Sequence, residues 1–363
     1  MSEKIRVLIV EDSALMRKAM KNILTSDKDI VVIDTARDGE EGVIKARELK
    51  PDVVTMDINM PKMDGLTAMQ HILSENICPV IVVSSLTKEG ALITFEALEL
   101  GAFDYVPKPG GTMSININES SKEIISKVKA AANRDSVIKI KKRMNRLKLK
   151  KQNDKIEITQ EQQKLSHVTP RIAVAIGVST GGPRTLVEII SGLPENLGAA
   201  LFIVQHMPGN FTTSFAKRLD SYAKFPLKEA VAGDVVDANA GYLAPGGFHL
   251  VLRKKTDNGV MIRLPTIPEH LFIPSVGVMM KSVLDIFGDH TIGVLLTGMG
   301  DDGADAMVDI KKRGGITIAE SEETAIVFGM PKEAIDRGGA DIVVPSYKVA
   351  AAITDAIAKI NKR

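Results

Sequence analysis

Short apolar runs recur along this chain with room for one helix between each pair, and nearly every run stops at a residue able to do chemistry. In the first 130 residues the strand candidates are Ile5–Val10, Ile30–Ile33, Val53–Met56, Val80–Val83 and Phe103–Val106. Helical patterns such as Ala14–Leu24 and Gly39–Leu49 lie between them. Five βα units predict a doubly wound parallel sheet. From Arg171 the alternation resumes, with strands predicted at Ile172–Ile176, Ala199–Val204, Gly241–Leu243, Ile292–Leu296, Gly315–Ile318 and Ile342–Val344, and a helix at Pro183–Ile190. This second α/β layer has an irregular middle, Ala230–Val276, and the pattern does not order its strands.

A chain of 363 residues is long enough for two domains, each burying its own core. The break falls in a basic stretch. Residues 1–134 carry 17 basic and 20 acidic side chains, residues 135–165 carry 10 and 4, and residues 166–363 carry 20 and 21. Within the stretch, Lys139–Lys151 holds eight basic residues and no acid, followed by the Gln-rich Gln152–Lys164. A solvated linker or short surface helix is expected there. Ile140, Met144 and Leu147 form a narrow apolar stripe suited to docking on a partner.

With neither folded half basic, no Trp and 4% aromatic residues, a nucleic-acid stacking surface is not expected. The single cysteine, Cys78, lies in an apolar run and reads as a small buried hydrophobe. One cysteine allows no disulfide within the chain, which suits a reducing compartment. Met1–Lys4 lacks the apolar core of a signal peptide, and no apolar stretch reaches the roughly 18 residues of a membrane span. A cytoplasmic location without membrane insertion is expected.

In a doubly wound sheet, functional groups gather beyond the carboxyl ends of the strands. Glu11 and Asp12 follow the first predicted strand, Asp57 the third, Ser84 the fourth and Lys108 the fifth. Three carboxylates at one edge need a cation, and hard oxygens suit Mg²⁺. A metal beside Asp57 would orient a phosphoryl donor for attack by its carboxylate. Lys108 can balance phosphate charge, and the Ser84 hydroxyl can bond a phosphate oxygen.

Val7–Ser13, Met56–Gly65 and Tyr105–Pro109 resemble the signatures of response-regulator receiver domains over about residues 1–125. That resemblance implies phosphorylation of Asp57 by a histidine-kinase partner. It places Mg²⁺ on Glu11, Asp12, Asp57 and the Asn59 backbone carbonyl, Ser84 and Tyr105 at the switch positions, and a cis peptide before Pro109.

Gly177-Val178-Ser179-Thr180-Gly181 fits the G-x-S-x-G pattern that sets a serine on a tight strand-to-helix turn. Pro183 suits the first turn of the following helix, whose amides favour negative charge near Ser179. A dinucleotide site would need G-x-G-x-x-G and an acid ending the second strand. This chain lacks that spacing and ends its second strand in Gln205-His206. His206 is placed for general-base work beside Ser179. Beyond Ile292–Leu296, either Asp301 or Asp302 could accept the far N–H of His206 and fix its tautomer; spacing does not choose between them. His71, His167, His249, His270 and His290 read as scattered, with no clear metal cluster. The order Ser…His…Asp also differs from the Ser…Asp…His of α/β-hydrolases.

Ala175–Pro183, Val204–Pro208, Leu243–His249, Leu295–Gly303 and Val327–Pro331 together resemble the receptor methylesterases of chemotaxis, the CheB family. The two resemblances imply a flavodoxin-like receiver at 1–134, a basic linker at 135–168 and a Rossmann-like α/β parallel-sheet hydrolase domain at 169–363. They imply Ser179 as nucleophile, His206 as base, Asp302 rather than Asp301 as orienting acid, the backbone at Met299 as oxyanion donor and Thr180 as a supporting hydroxyl. The implied substrate is a glutamate γ-methyl ester on methyl-accepting chemoreceptors, with methanol released and no cofactor for ester hydrolysis. Deamidation of receptor glutamine is a second activity of some members. The partners implied are a chemotaxis kinase and the receptors, with the chain a monomer whose unphosphorylated receiver covers the catalytic edge. Ile273 and Gly277 stand where members commonly carry arginine and aspartate. A phospho-regulated adaptor, and a hydrolase acting outside motility, are the rival expectations.

Overall fold

In the computed structural model, which describes residues 3–85, 87–108, 117–153 and 168–363, the apolar runs of the first half become five parallel strands. They are β1 (Ile5–Val10), β2 (Ile30–Ala36), β3 (Val53–Asp57), β4 (Val80–Ser84) and β5 (Asp104–Pro107), ordered β2-β1-β3-β4-β5. The helices are α1 (Ala14–Thr25), α2 (Gly39–Leu49), α3 (Gly65–Ser74), α4 (Lys88–Leu100) and α5 (Ile117–Ala132). Side-chain caps start several of them: Asp38 accepts the Glu41 amide at 2.9 Å and Asp64 the Thr67 amide at 2.9 Å. The chain leaves β1 toward β2 and then returns past it to β3, so a crevice opens beyond the ends of β1 and β3.

As far as Asn153 the basic stretch is helical. A 20-residue helix, α6, spans Arg134–Asn153. Ile140 and Arg143 are buried, Lys141 Nζ donates to Asn76 Oδ1 at 2.7 Å, and Met144 lies beside Gly101. The first compact unit accordingly runs through Arg146 and the second begins at Leu147.

The second unit holds β6 (Ala173–Val178), α7 (Gly182–Ile190), β7 (Ala200–Gln205), α8 (Gly209–Asp220), β8 (Leu227–Glu229) and β9 (Gly241–Leu243). A hairpin follows, β10 (Val251–Lys254) and β11 (Val260–Arg263), then α9 (Val276–Phe287), β12 (Thr291–Leu295), α10 (Ala304–Lys312), β13 (Ile316–Glu320), α11 (Met330–Asp336), β14 (Ile342–Val344) and α12 (Ser346–Asn361). Seven of these strands form one parallel sheet, ordered β14-β13-β12-β6-β7-β9-β8. Helix α7 packs with α12, and α9 packs with α10 over a core containing Phe202, Tyr242, Met279 and Val283.

The middle segment is less irregular than expected. It contains the antiparallel β10–β11 hairpin, and the three-residue β8 lies just before it. Both are short and partly exposed, so they lack the long apolar runs that marked the other strands. No helix among the described residues is long and apolar enough to cross a membrane.

Candidate active site and acidic pocket

In the seven-stranded sheet, β6 lies between β12 and β7, so three chain segments meet beyond its carboxyl end. Ser179 follows β6 directly. Its N–H donates to the Thr297 carbonyl at 3.0 Å, and its own carbonyl accepts the Gly182 amide at 2.8 Å. Gly181 turns the chain in the left-handed region at φ 76°, leading into α7. Gly298 lets the β12 loop come against the serine: a Cβ there would lie 2.8 Å from Ser179 Cβ. Among the described residues, the amides of Thr180 and Met299 donate to no backbone acceptor, whereas those of the preceding Ser179 and Gly298 do.

His206 follows β7, and its N–H donates to the Val178 carbonyl at 3.1 Å, which seats it beside the Ser179 turn. Its Nε2 lies 2.9 Å from Asp302 Oδ2. Its Nδ1 is buried without a hydrogen-bond partner among the described residues. Phe272 stacks on the imidazole, with ring centroids 4.0 Å apart and planes 12° from parallel.

Asp302 is buried and densely bonded. Oδ1 accepts Ser275 Oγ at 2.8 Å and the Gly277 amide at 2.9 Å, and Oδ2 accepts the Val276 amide at 2.7 Å. Burial raises its pKa, but the bond and charge of His206 and the amides at the start of α9 outweigh it, holding the carboxyl at about 2. An ionised carboxylate only accepts, so the proton between the pair resides on His206 Nε2. The neutral imidazole then has its free lone pair on Nδ1. Asp301, its sequence neighbour, is exposed and bonded to Arg337 at 2.7 Å.

Two of the histidines that read as scattered converge here. Wholly buried His249 accepts the Ser275 amide on Nδ1 at 3.1 Å and bonds the Pro268 carbonyl through Nε2 at 2.9 Å. His270 Nε2 lies 4.0 Å from Asp302 Oδ1, and the two rings meet edge to face at 6.5 Å. His249 thus braces the segment leading into α9, whose first amides bond Asp302. His167 lies outside the described residues.

In the first unit, the only group of the described acids and histidines with metal-holding geometry is Glu11, Asp12 and Asp57, with ligand atoms within 4.8 Å of one another. Lys108 Nζ donates to Asp57 Oδ2 at 2.8 Å and to Glu11 Oε1 at 3.2 Å. Burial and the Asp57 charge push Glu11 up to about 7, despite Lys108. Burial likewise raises Asp57, against the opposing pull of Lys108 and the Ile58 amide. Glu11 Oε2 is buried, and the one positive group near it is the same Lys108 Nζ at 3.1 Å. One lysine therefore leaves these acids short of positive charge, and their hard oxygens fit a divalent cation.

Ser84 follows the same edge, with its hydroxyl turned to the Gly90 carbonyl at 3.2 Å and to Thr94 Oγ1 at 2.8 Å. Tyr105 is buried, with Lys127 Nζ 4.8 Å above its ring. The Lys108–Pro109 peptide lies outside the described residues.

Residues 174–353 match the family model of the CheB methylesterase, and residues 7–116 match that of the response regulator receiver domain. A protein-glutamate methylesterase/protein-glutamine glutaminase of Syntrophomonas wolfei is 54% identical over 97% of this chain and 99% of its own length. The chain belongs to the CheB methylesterase family. A relative of the same name from Pyrococcus abyssi is 46% identical, over 99% of this chain and 95% of its own length. The crystal structure of the Thermotoga maritima CheB methylesterase catalytic domain is 43% identical, with a TM-score of 0.50, covering 52% of this chain and 99% of that one.

Several residues that build this CheB-family site did not stand out in the sequence. Ser275 precedes the apolar run Val276–Phe287, so a helix-cap reading was available, and its hydroxyl accepts the Val278 amide at 3.3 Å. Its second bond, to Asp302, has no local signal. Phe272 and Thr297 likewise look like ordinary residues until the fold brings them to the site.

Proposed function

We propose that this chain is a phosphorylation-activated serine hydrolase that removes γ-methyl esters from chemoreceptor glutamates, releasing methanol, and that it deamidates receptor glutamines as a second activity. The observation that carries the reading is the state of His206. One ring nitrogen is bonded to an ionised carboxylate, and the other is buried, unpartnered and next to the Ser179 turn. A base held ready in this way is an acyl-transfer device. The family membership and the names of the relatives support the substrate.

In the mechanism, Ser179 Oγ bonds to the ester carbonyl carbon while its proton passes to His206 Nδ1. The tetrahedral intermediate collapses, the C–O bond to methoxide breaks, and methanol leaves with that proton. Water, deprotonated by the same nitrogen, then attacks the glutamyl ester and restores Ser179. Asp302 orients the imidazole and balances the imidazolium. The free amides of Thr180 and Met299 would hold the oxyanion. With glutamine as substrate, ammonia is the leaving group.

Asp57 would be the phosphoacceptor for a chemotaxis histidine kinase. Glu11, Asp12, Asp57 and the Asn59 carbonyl would hold Mg²⁺, which when bound neutralises the carboxylates and orients the donor phosphoryl group. Lys108 would pair with the phosphate, and Ser84 and Tyr105 would report its arrival. The setting is the cytoplasm, where receptors present their methylated helices.

The test is methanol release from methylated receptor fragments, before and after a small-molecule phosphodonor. Ser179→Ala is expected to abolish turnover while staying folded, and phosphorylation to raise the wild-type rate. Deletion of residues 1–165 is expected to exceed the unphosphorylated full chain. No release from folded wild-type protein on a verified substrate would favour the adaptor.

A further inference from the structure

A peptide unit is planar and trans, so the direction of an N–H is set by the carbonyl on the other side of the same bond. The two amides assigned to the oxyanion in the mechanism above belong to the Ser179–Thr180 and Gly298–Met299 peptides. Each of those carbonyls is clamped by two donors. Gly298 O accepts the Gly329 amide at 3.1 Å and the Met330 amide at 2.9 Å, a clamp made of backbone alone. Ser179 O accepts the Gly182 amide at 2.8 Å and, as its second donor, Gln205 Nε2 at 3.0 Å.

Gln205 is the last residue of β7, buried, and its Nε2 also donates to the His206 carbonyl at 3.1 Å. Both partners only accept, so the nitrogen of the side-chain amide must face them. One NH₂ group thus ties the backbone of the serine turn to the backbone of the histidine. Its other half does no such work: Gln205 Oε1 is buried without a hydrogen-bond partner among the described residues. A Cβ on Gly182 would lie 2.1 Å from that oxygen, so glycine makes room for the side chain. Leaving a buried carbonyl unpaired works against stability. An apolar side chain of similar length would fill the same space without that unpaired oxygen.

The geometry points to Gln205 as a positioning residue for the hydrolysis: its amide bridges the carbonyls of Ser179 and His206 and so aims the Thr180 N–H at the developing oxyanion. It touches no reacting atom. The inference rests on the serine-hydrolase reading above and adds a role that neither the serine, the histidine nor the acid supplies.

Gln205→Met in the full chain removes both donors at similar length. Since an oxyanion donor acts in the transition state, kcat is expected to fall about 10- to 100-fold with KM within about twofold. The second-order rate of Ser179 labelling by a fluorophosphonate, which also builds charge on an oxygen at that place, is expected to fall in parallel. The melting temperature is expected to change little, because the unpaired Oε1 disappears while two hydrogen bonds are lost. A folded Gln205→Met with wild-type kcat, or a loss carried by KM alone, would overturn the assignment. Gln205→Glu keeps the shape and replaces the NH₂ with an acceptor, so it decides the matter if the methionine variant does not fold: unchanged kcat again overturns it. Ser179→Ala run alongside separates the two readings. Turnover retained there would sink the serine mechanism, whereas serine-dependent turnover with an unaffected Gln205 variant sinks the positioning role alone.

Discussion

Asp57 and Asp302 lie in corresponding places: each is buried, beyond or at the end of a parallel strand, and within hydrogen-bond reach of a basic side chain. Yet the carboxyl of Asp57 is pushed up while that of Asp302 is held at about 2. Burial acts the same way on both, so the neighbours decide. Asp302 collects a hydroxyl, two helix-start amides and an imidazole, and none of these partners is acidic. Asp57 has Lys108 and one amide but shares its pocket with Glu11 and Asp12. The first arrangement is complete as built; the second is left short of positive charge.

Asp302→Asn should break that comparison most severely. An amide can donate to Nε2 and stabilise the wrong tautomer, so a kcat loss of about 10,000-fold is expected in methanol release, with the fold intact by circular dichroism. Less drastically, Ser275→Ala removes one donor to the ionised carboxylate. A loss of about 1.5–3 kcal/mol in unfolding free energy and about tenfold in kcat is expected, and a wild-type rate would mean the remaining donors suffice.

The acidic pocket gives a pH signature. Glu11 has a folded-state pKa of about 7 against an ordinary 4.5, so its contribution favours folding below 4.5 and is lost as pH rises through 7. A cation needs the ionised form, so Mg²⁺ affinity by titration calorimetry is expected to drop about tenfold from pH 8 to pH 6. A flat profile would contradict the shortage of positive charge inferred there. The smallest effect is expected from Asp301→Asn, next to the residue with the largest. Its pairing with Arg337 is at the surface, so kcat should stay within about twofold.

Much of this architecture is legible in the chain because parallel strands covered on both faces are written as uninterrupted apolar runs, as in Val53–Met56 or Ala199–Val204. The polar residue that ends each run then marks the crevice edge, which is how Glu11, Asp57, Ser179 and His206 are found. Strands β8, β10 and β11 escaped because each is short and partly exposed. Asp301 and Asp302 are indistinguishable by spacing. Only the start of α9, 25 residues earlier at Gly277, separates the acid that receives its amides from the one turned to Arg337. The convergence of His249 and His270 depends on the same loop and left no local trace.

Helix α6 has a practical consequence for anyone dividing this protein. The charge composition invites a cut near residue 135, where the basic run begins, yet that cut would strip the receiver of the helix that buries Ile140 and Arg143 and reaches Asn76. A receiver ending there would expose an apolar scar, and any sluggish phosphorylation it displayed would reflect the missing buttress. Fragments meant to report on each half separately are better parted beyond Asn153, with the positive charges left on the receiver's side.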